Sequence, residues 1–269
     1  MPQGLGFVLL KEIVMTGVLP SQDLKTMIKE GVIDAKPQII SEQIPPASLD
    51  LRLGFRAYRV RASFLSGENQ TVSDRLAEFQ MHEIDLHQGA VLEKGCVYVV
   101  PLMEQLDLPA GTHAVTNAKS STGRLDLLTR TITDYSTEFD RIAAGYRGPL
   151  YAEICPRSFS VLVRPGMRLN QIRFRAGQAI LTDAELDALH KAERLVSGEA
   201  VIGDGLGFSV DLQPDGTDLV GFRAKPHTGV IDLDRKAYYD PADFWEEIRT
   251  NSGQIILDPG AFYILVSQE

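Results

Sequence analysis

Through the middle of the chain, short runs rich in valine, isoleucine, tyrosine and phenylalanine partly alternate with polar residues: GCVYVVPL (95–102), THAVTN (112–117), LYAEI (150–154), SFSVLV (158–163) and RLNQIRF (168–174). Side chains of this kind suit a pleated, half-buried surface, and turns such as RPG and YRGP separate the runs. The pattern predicts an all-β sandwich or barrel. Helical periodicity is confined to the flanks. Ser21 is placed to cap LKTMIKEG (24–31), in which Leu24, Met27 and Ile28 share a face and Gly31 ends the helix. Thr182 and Glu185 have the spacing of a capping box opening DAELDALHKAERLV (183–196).

An internal repeat then organises the chain. VLEKGCVYVVPLME (91–104) aligns without a gap on ILDPGAFYILVSQE (256–269), pairing Gly95 with Gly260 and Tyr98 with Tyr263. Upstream, SLDL (48–51) pairs with SVDL (209–212) and EIDL (83–86) with VIDL (230–233). AYYDPADFWEEIRT (237–250) then reads as an insertion in which Asp240 caps and Pro241 starts a helix. The expected division is a first repeat over 1–198, with its helices, and an incomplete second repeat over 199–269. The chain stops at the equivalent of Glu104, before anything matching 105–175, so the sequence reads as a fragment of a longer protein: a sheet ending there would lack partners for its edge.

Composition narrows the class. Of 269 residues, 44% are hydrophobic and 23% charged, and mean hydropathy is −0.06, as for an ordinary globular protein. No run reaches the roughly 20 apolar residues of a spanning helix. The start, MPQGLGFVLLKEIV, lacks a basic leader and a cleavage site, which points to the cytoplasm. Cys96 and Cys155 stand alone, and the five histidines have no ligand spacing, so neither a disulfide framework nor a zinc site is supported. Net charge of −9 argues against a nucleic-acid polymer or an anionic membrane as partner. Yet 119–175 holds ten basic and five acidic residues, against seventeen and thirty-one elsewhere. A cationic stretch in an acidic chain suits a small polyanion in a pocket, or else a set of solvated strand-face arginines.

Two motifs carry candidate chemistry. NAKSSTGRLDL (117–127) sets two hydroxyls between a lysine and an arginine beside a glycine, a convergence of donors suited to an oxyanion, or an ordinary polar turn. In AAGYRGPLYAEI (143–154), Glu153 is the sole acid in an apolar run. Flanked by Ala152 and Ile154, it should be partly desolvated, as a proton-carrying carboxyl requires, unless it lies on the wet face of its strand. Asp50 and Arg52, following PPAS, read as a buried structural pair.

Together, QIPPASLDLRLG (43–54), AKSSTGRLDL (118–127), IAAGYRGPLYAEI (142–154) and VLVRPGMRLNQIRF (161–174) resemble the dCTP deaminase branch of the trimeric dUTP pyrophosphatase superfamily, in its long duplicated bacterial form. The resemblance implies a distorted β-barrel, or β-clip, with short peripheral helices and an internal duplication. It sets Glu153 on the proton-carrying carboxylate, Ser120 on the serine that holds the attacking water and Arg124 on the arginine beside the carboxylate. It sets Ser121 and Gln171 on contacts to the triphosphate, Gln171 across a subunit boundary, and Lys119 where an arginine is usual. Where the family usually has Asp, this chain has Ala143, which leaves sugar recognition to Asp140 or to the missing half of the second repeat.

The implied reaction is hydrolytic deamination of dCTP to dUTP and ammonia, with no catalytic zinc, magnesium accompanying the triphosphate, and a homo-oligomer, by resemblance a trimer. A dUTP pyrophosphatase, alone or combined with deamination, is the alternative enzyme. A non-catalytic nucleotide sensor is the alternative of another class.

Overall fold

The alternating runs become strands, and their period of two decides which side chains meet. The computed structural model describes residues 16–213 and 216–268. The first of these stretches opens with β1 (Gly17–Val18), α1 (Ser21–Lys29), β2 (Ile33–Ala35), a 3-10 turn (Ser41–Gln43), β3 (Leu49–Arg52), β4 (Arg56–Val60), α2 (Val72–Phe79), β5 (Gln80–Asp85) and β6 (Ala90–Leu92). It continues with β7 (Val97–Asp107), β8 (Thr112–Ala118), α3 (Ser120–Gly123), β9 (Leu127–Thr133), β10 (Arg141–Ile142), β11 (Arg147–Pro156), β12 (Val161–Val163), β13 (Arg168–Ala176) and α4 (Asp183–Glu193). The last part adds β14 (Leu219–Ala224), β15 (Ile231–Asp232), α5 (Pro241–Phe244), β16 (Trp245–Arg249) and β17 (Tyr263–Leu265). The protein is all-β with short peripheral helices, and among the described residues no helix is long and apolar enough to cross a membrane.

One sheet runs β5-β4-β7-β11-β9, with β2 also on β7, and a second runs β1-β13-β8-β10, with β3 also on β13. Leu150, Ala152 and Ile154 of β11 point into the main core with Val100, Leu51, Ile172 and Phe174. The alternate residue Tyr151 points the other way, into a smaller cluster with Val60, Phe64, Val99 and Ile132, capped by Val72 and Leu76 of α2. Strand β11 is therefore covered on both faces.

The caps follow the sequence, with one shift. Thr182 and Glu185 exchange their bonds, Thr182 N donating to Glu185 Oε2 at 2.8 Å and Glu185 N to Thr182 Oγ1 at 3.3 Å. Asp240 Oδ1 accepts from Ala242 N at 2.9 Å, one residue beyond Pro241. Ser21 is not a cap: α1 already includes it, the N-cap is Pro20, and the Ser21 amide donates to Pro46 O at 2.7 Å.

Part of the first repeat's strand order recurs in the last part of the chain, and upstream of the final strand its register differs from the sequence alignment. Strand order β5-β4-β7 in the first copy is repeated as β16-β14-β17 in the second. Tyr58 lies between Glu83 and Val99, as Phe222 lies between Glu247 and Ile264; Arg59 faces Tyr98 as Arg223 faces Tyr263. The turn matched in sequence is matched in geometry. Glu93 N donates to Tyr98 Oη at 3.0 Å and Asp258 N to Tyr263 Oη at 2.9 Å, while Gly95 and Gly260 have φ of 78° and 79°, where a Cβ is strained.

The two upstream matches are corrected by the pairing. Glu83 corresponds to Glu247, so the apparent insertion carrying α5 and β16 is the counterpart of α2 and β5, and VIDL matches EIDL by chance. Likewise Val210 bridges Ser267 as Leu53, rather than Leu49, bridges Leu102. Freed from that role, Ile231 and Asp232 form β15, which runs parallel to β12 and docks the second copy on the first. Phe159 packs edge-on against Phe244 and Trp245, at 5.8 and 5.3 Å between centroids.

Asp50 and Arg52 are both buried, though not as partners. Glu104, 1% exposed on β7, accepts from Arg52 N and Nε, both at 2.8 Å, and from Gln43 Nε2 at 3.0 Å. Arg52 spends its other donors on the carbonyls of Pro37 and Gln38. This knot ties β3 to β7 and so one sheet to the other. Glu104→Ala, which strands the Arg52 guanidinium, is expected to cost roughly 3–5 kcal/mol in urea denaturation. A loss below about 1 kcal/mol, the range of exposed pairs, would show that the knot does not hold the sheets together.

Candidate active site

Period-two alternation places Glu153 on the Tyr151 face of β11, and it is 2% exposed. Its register partners are Val99 on β7 and Arg130 on β9. Residues directly opposite on adjacent strands have side chains on one face, so the guanidinium reaches the carboxylate. Arg130 Nη2 and Nε donate to Glu153 Oε1 at 2.5 and 3.1 Å. Arg130 is fixed from two further sides: its guanidinium lies 3.7 Å from the centroid of the Phe139 ring, and Nη2 also donates to Ser63 Oγ at 3.0 Å. Glu153 Oε2 is buried with no hydrogen-bond partner. Central burial excludes the reading of Glu153 as a wet-face residue.

Asp140 sits beside this pair with a positive φ of 61°. Its Oδ1 accepts from Thr131 N at 2.8 Å and Thr116 Oγ1 at 2.7 Å. Burial raises its pKa above the ordinary aspartate value, against those two bonds and the nearby Arg130 charge, with Glu153 adding in the raising sense. The adjoining hairpin encloses a concavity of about 660 Å³ lined in part by Thr133, Asp134, Ala143, Tyr146 and Arg175. Tyr146 Oη donates to Pro149 O at 2.6 Å, and burial raises the phenol's pKa, so it remains protonated.

A second group lies at the mouth of the β8–α3 turn. Lys119 pairs with Asp50, which also has Arg168 at 3.9 Å. Gln171 is the register partner of both Asp50 and Asn117, and its Oε1 accepts from Ser48 Oγ at 3.4 Å. Lys119, Ser121 and Arg168 line a groove of about 640 Å³. Lys119 and Gln171 thus share the carboxylate neighbourhood of Asp50, an arrangement that keeps cationic and amide donors at one sheet surface.

Ser120, Ser121 and Arg124 point outward from the short α3 turn. Among the described residues their side chains have no hydrogen bond or ion pair, and Arg124 does not touch Glu153 within the chain. The cation on Glu153 is Arg130, which sequence reasoning missed. Its only signal was membership of an alternating strand, and the strand register that pairs it with Glu153 is not written in either segment. No group of three or more His, Cys, Asp or Glu among the described residues could hold a metal ion.

Comparison with known proteins places this geometry. The family model for the 2'-deoxycytidine 5'-triphosphate deaminase N-terminal domain matches residues 15–178, and that for the C-terminal domain of the same enzyme matches 182–269. A dCTP deaminase of Actinobacillus pleuropneumoniae is 27% identical over 183 residues, covering 64% of this chain and 91% of the relative. A protein named "dCTP deaminase, dUMP-forming" from Sulfurihydrogenibium is 27% identical over 160 residues, 58% of this chain and 82% of the relative. The crystal structure of 2'-deoxycytidine 5'-triphosphate deaminase from Agrobacterium tumefaciens superposes with a TM-score of 0.89 at 51% identity, covering 94% of this chain and 74% of that one.

The buried pair can be tested without substrate. Arg130→Leu leaves Glu153 buried without its counter-charge and is expected to cost roughly 2–4 kcal/mol, below the full range for buried pairs because the Arg130 side chain is 29% exposed. Adding Glu153→Gln should recover most of that loss, since no charge then remains unpaired. If urea denaturation shows Arg130→Leu and the double variant equally destabilised, the two side chains are not coupled.

Proposed function

The chain belongs to the 2'-deoxycytidine 5'-triphosphate deaminase family, and from that premise we propose that it hydrolyses dCTP to dUTP and ammonia with Glu153 as the proton carrier. One observation supports Glu153 above all: it is a buried carboxylate with one oxygen held by Arg130 and the other without a partner. The unpartnered Oε2 is the atom available to a water and to the base.

In this reading, a water held by Ser120 attacks C4 of cytosine as Glu153 Oε2 takes one of its protons. Glu153 hands that proton to N3, so the tetrahedral carbon forms without a free hydroxide. The proton of the new hydroxyl group then passes through the same carboxyl to the exocyclic amine, the C4–N bond breaks, and ammonia leaves with the C4 carbonyl formed. Arg130 keeps its bonds to Oε1 throughout and supplies a fixed positive charge beside the atoms that exchange protons. Asp140, whose Oδ1 is already occupied, has Oδ2 left for a sugar hydroxyl.

The triphosphate lies against Lys119, Ser121 and Gln171, where the donors cluster. Lys119 supplies charge without the bidentate fork of an arginine. Magnesium enters as part of the substrate, chelated by the triphosphate, which needs no protein cage. Arg124 and Ser120 face outward while Glu153 lies inside, which favours a site completed between copies of the chain; the number of copies, three, rests on the family resemblance alone. A deoxynucleoside triphosphate substrate supports a cytoplasmic location.

The test incubates the chain with dCTP and magnesium and quantifies ammonia, dUTP, dUMP and pyrophosphate together, with dUTP as a parallel substrate. One ammonia per dUTP and no pyrophosphate is the expected result. Pyrophosphate in step with ammonia would add a second hydrolysis, and saturable dCTP binding without any product would leave only a sensor.

A further inference from the structure

The groove that holds Lys119 and Ser121 is not built by the first repeat alone. Its opposite wall is Leu233, Asp234 and Lys236, from the loop after β15 in the second copy. That loop is pinned in place. Arg164 donates to Asp232 Oδ1 at 2.7 Å and Oδ2 at 3.0 Å and to Asp234 Oδ2 at 2.9 Å, and the Asp232 amide donates to Tyr239 Oη at 2.6 Å. Strand β15 adds its parallel pairing to β12 beneath.

The cations of the groove differ in what charge they have left. Lys119 is paired with Asp50, and Arg164 is spent on two aspartates. Arg168 gives one N–H to Glu42 O at 2.7 Å and has only a long contact to Asp50. Lys236 is exposed and, among the described residues, has no carboxylate within ion-pairing distance. An anion entering the groove would therefore meet its least compensated positive charge on the second copy.

We propose that Lys236 is a polyphosphate-binding residue: the second repeat closes the substrate groove and contributes a cation to the triphosphate that Lys119 and Ser121 bind from the other wall. This use explains why a module that duplicates β5-β4-β7 carries an extra strand, β15, at the point where its sequence approaches the first repeat. The inference rests on the reading of that groove as the triphosphate site, so its test separates the two.

Binding of inorganic tripolyphosphate with magnesium is measured by calorimetry for the parent chain, Lys236→Ala and Lys191→Ala, the last a charge control on α4 outside the groove. Lys236→Ala should weaken binding about fivefold, the upper range for one exposed ion pair, and raise the KM for dCTP by a similar factor with kcat held within about twofold. Lys191→Ala should match the parent in both. Tripolyphosphate binding that is absent from the parent, or unchanged in Lys236→Ala, overturns the proposal even if ammonia is still released from dCTP. Absence of ammonia from the parent, with Lys236-dependent tripolyphosphate binding intact, would instead overturn the deaminase reading and leave the groove assignment standing.

Discussion

A carboxylate buried on an inner strand of a six-stranded sheet must be neutralised by a partner on the same face, and the surroundings of β11 follow from that requirement. Removing an unpaired carboxylate from water costs several kcal/mol, so Glu153 needs a cation that the fold itself delivers. The register of β9 against β11 delivers Arg130. The cation in turn is held by the Phe139 ring and Ser63, and α2 seals the cluster above it. The pair has one unsatisfied member, Oε2, and an unsatisfied polar atom in an otherwise closed cluster marks where a ligand group is expected.

The last part of the chain shows which features of the first repeat recur. The turn with its left-handed glycine and tyrosine hydroxyl survives, as does the three-strand order. The position of Val99, beside Glu153 in the first copy, is Ile264 in the second, where β17 has no β11-like neighbour among the described residues. The module gains docking contacts instead: Phe244 and Trp245 on Phe159, and Asp232 on Arg164.

What was legible in the sequence divides along physical lines. Local rules were readable because they involve few residues: the capping box at Thr182, the cap at Asp240, the glycine turn at Gly95 and Gly260, and the period-two runs of the barrel. The burial of Glu153 was not decided by the sequence, because its apolar neighbours fitted either a desolvated carboxyl or the wet face of an alternating strand, and the structure puts it at 2% exposure. Long-range pairing was not readable. Arg130 is 23 residues from Glu153 and Glu104 is 52 from Arg52, and both contacts depend on strand register, which flips a side chain's face with a slip of one residue. The same ambiguity misled the repeat, because a four-residue match such as EIDL with VIDL carries less information than the pairing of Tyr58 and Phe222 with their neighbours. Family resemblance supplied roles for Ser120 and Arg124 that the isolated chain does not bring to Glu153.

The central claim is that the Glu153 carboxyl moves the protons of the reaction, with Arg130 fixing its other oxygen and the remaining groups holding the water and the nucleotide. The most direct measurement is ammonia release from dCTP by Glu153→Gln, alongside dCTP binding by the same protein. The amide can still accept from Arg130, so binding should stay within about threefold of the parent while turnover falls by at least about a hundredfold, the lower end for loss of a general acid–base. Full turnover in Glu153→Gln would contradict the account, and would place the proton carrier elsewhere in the site.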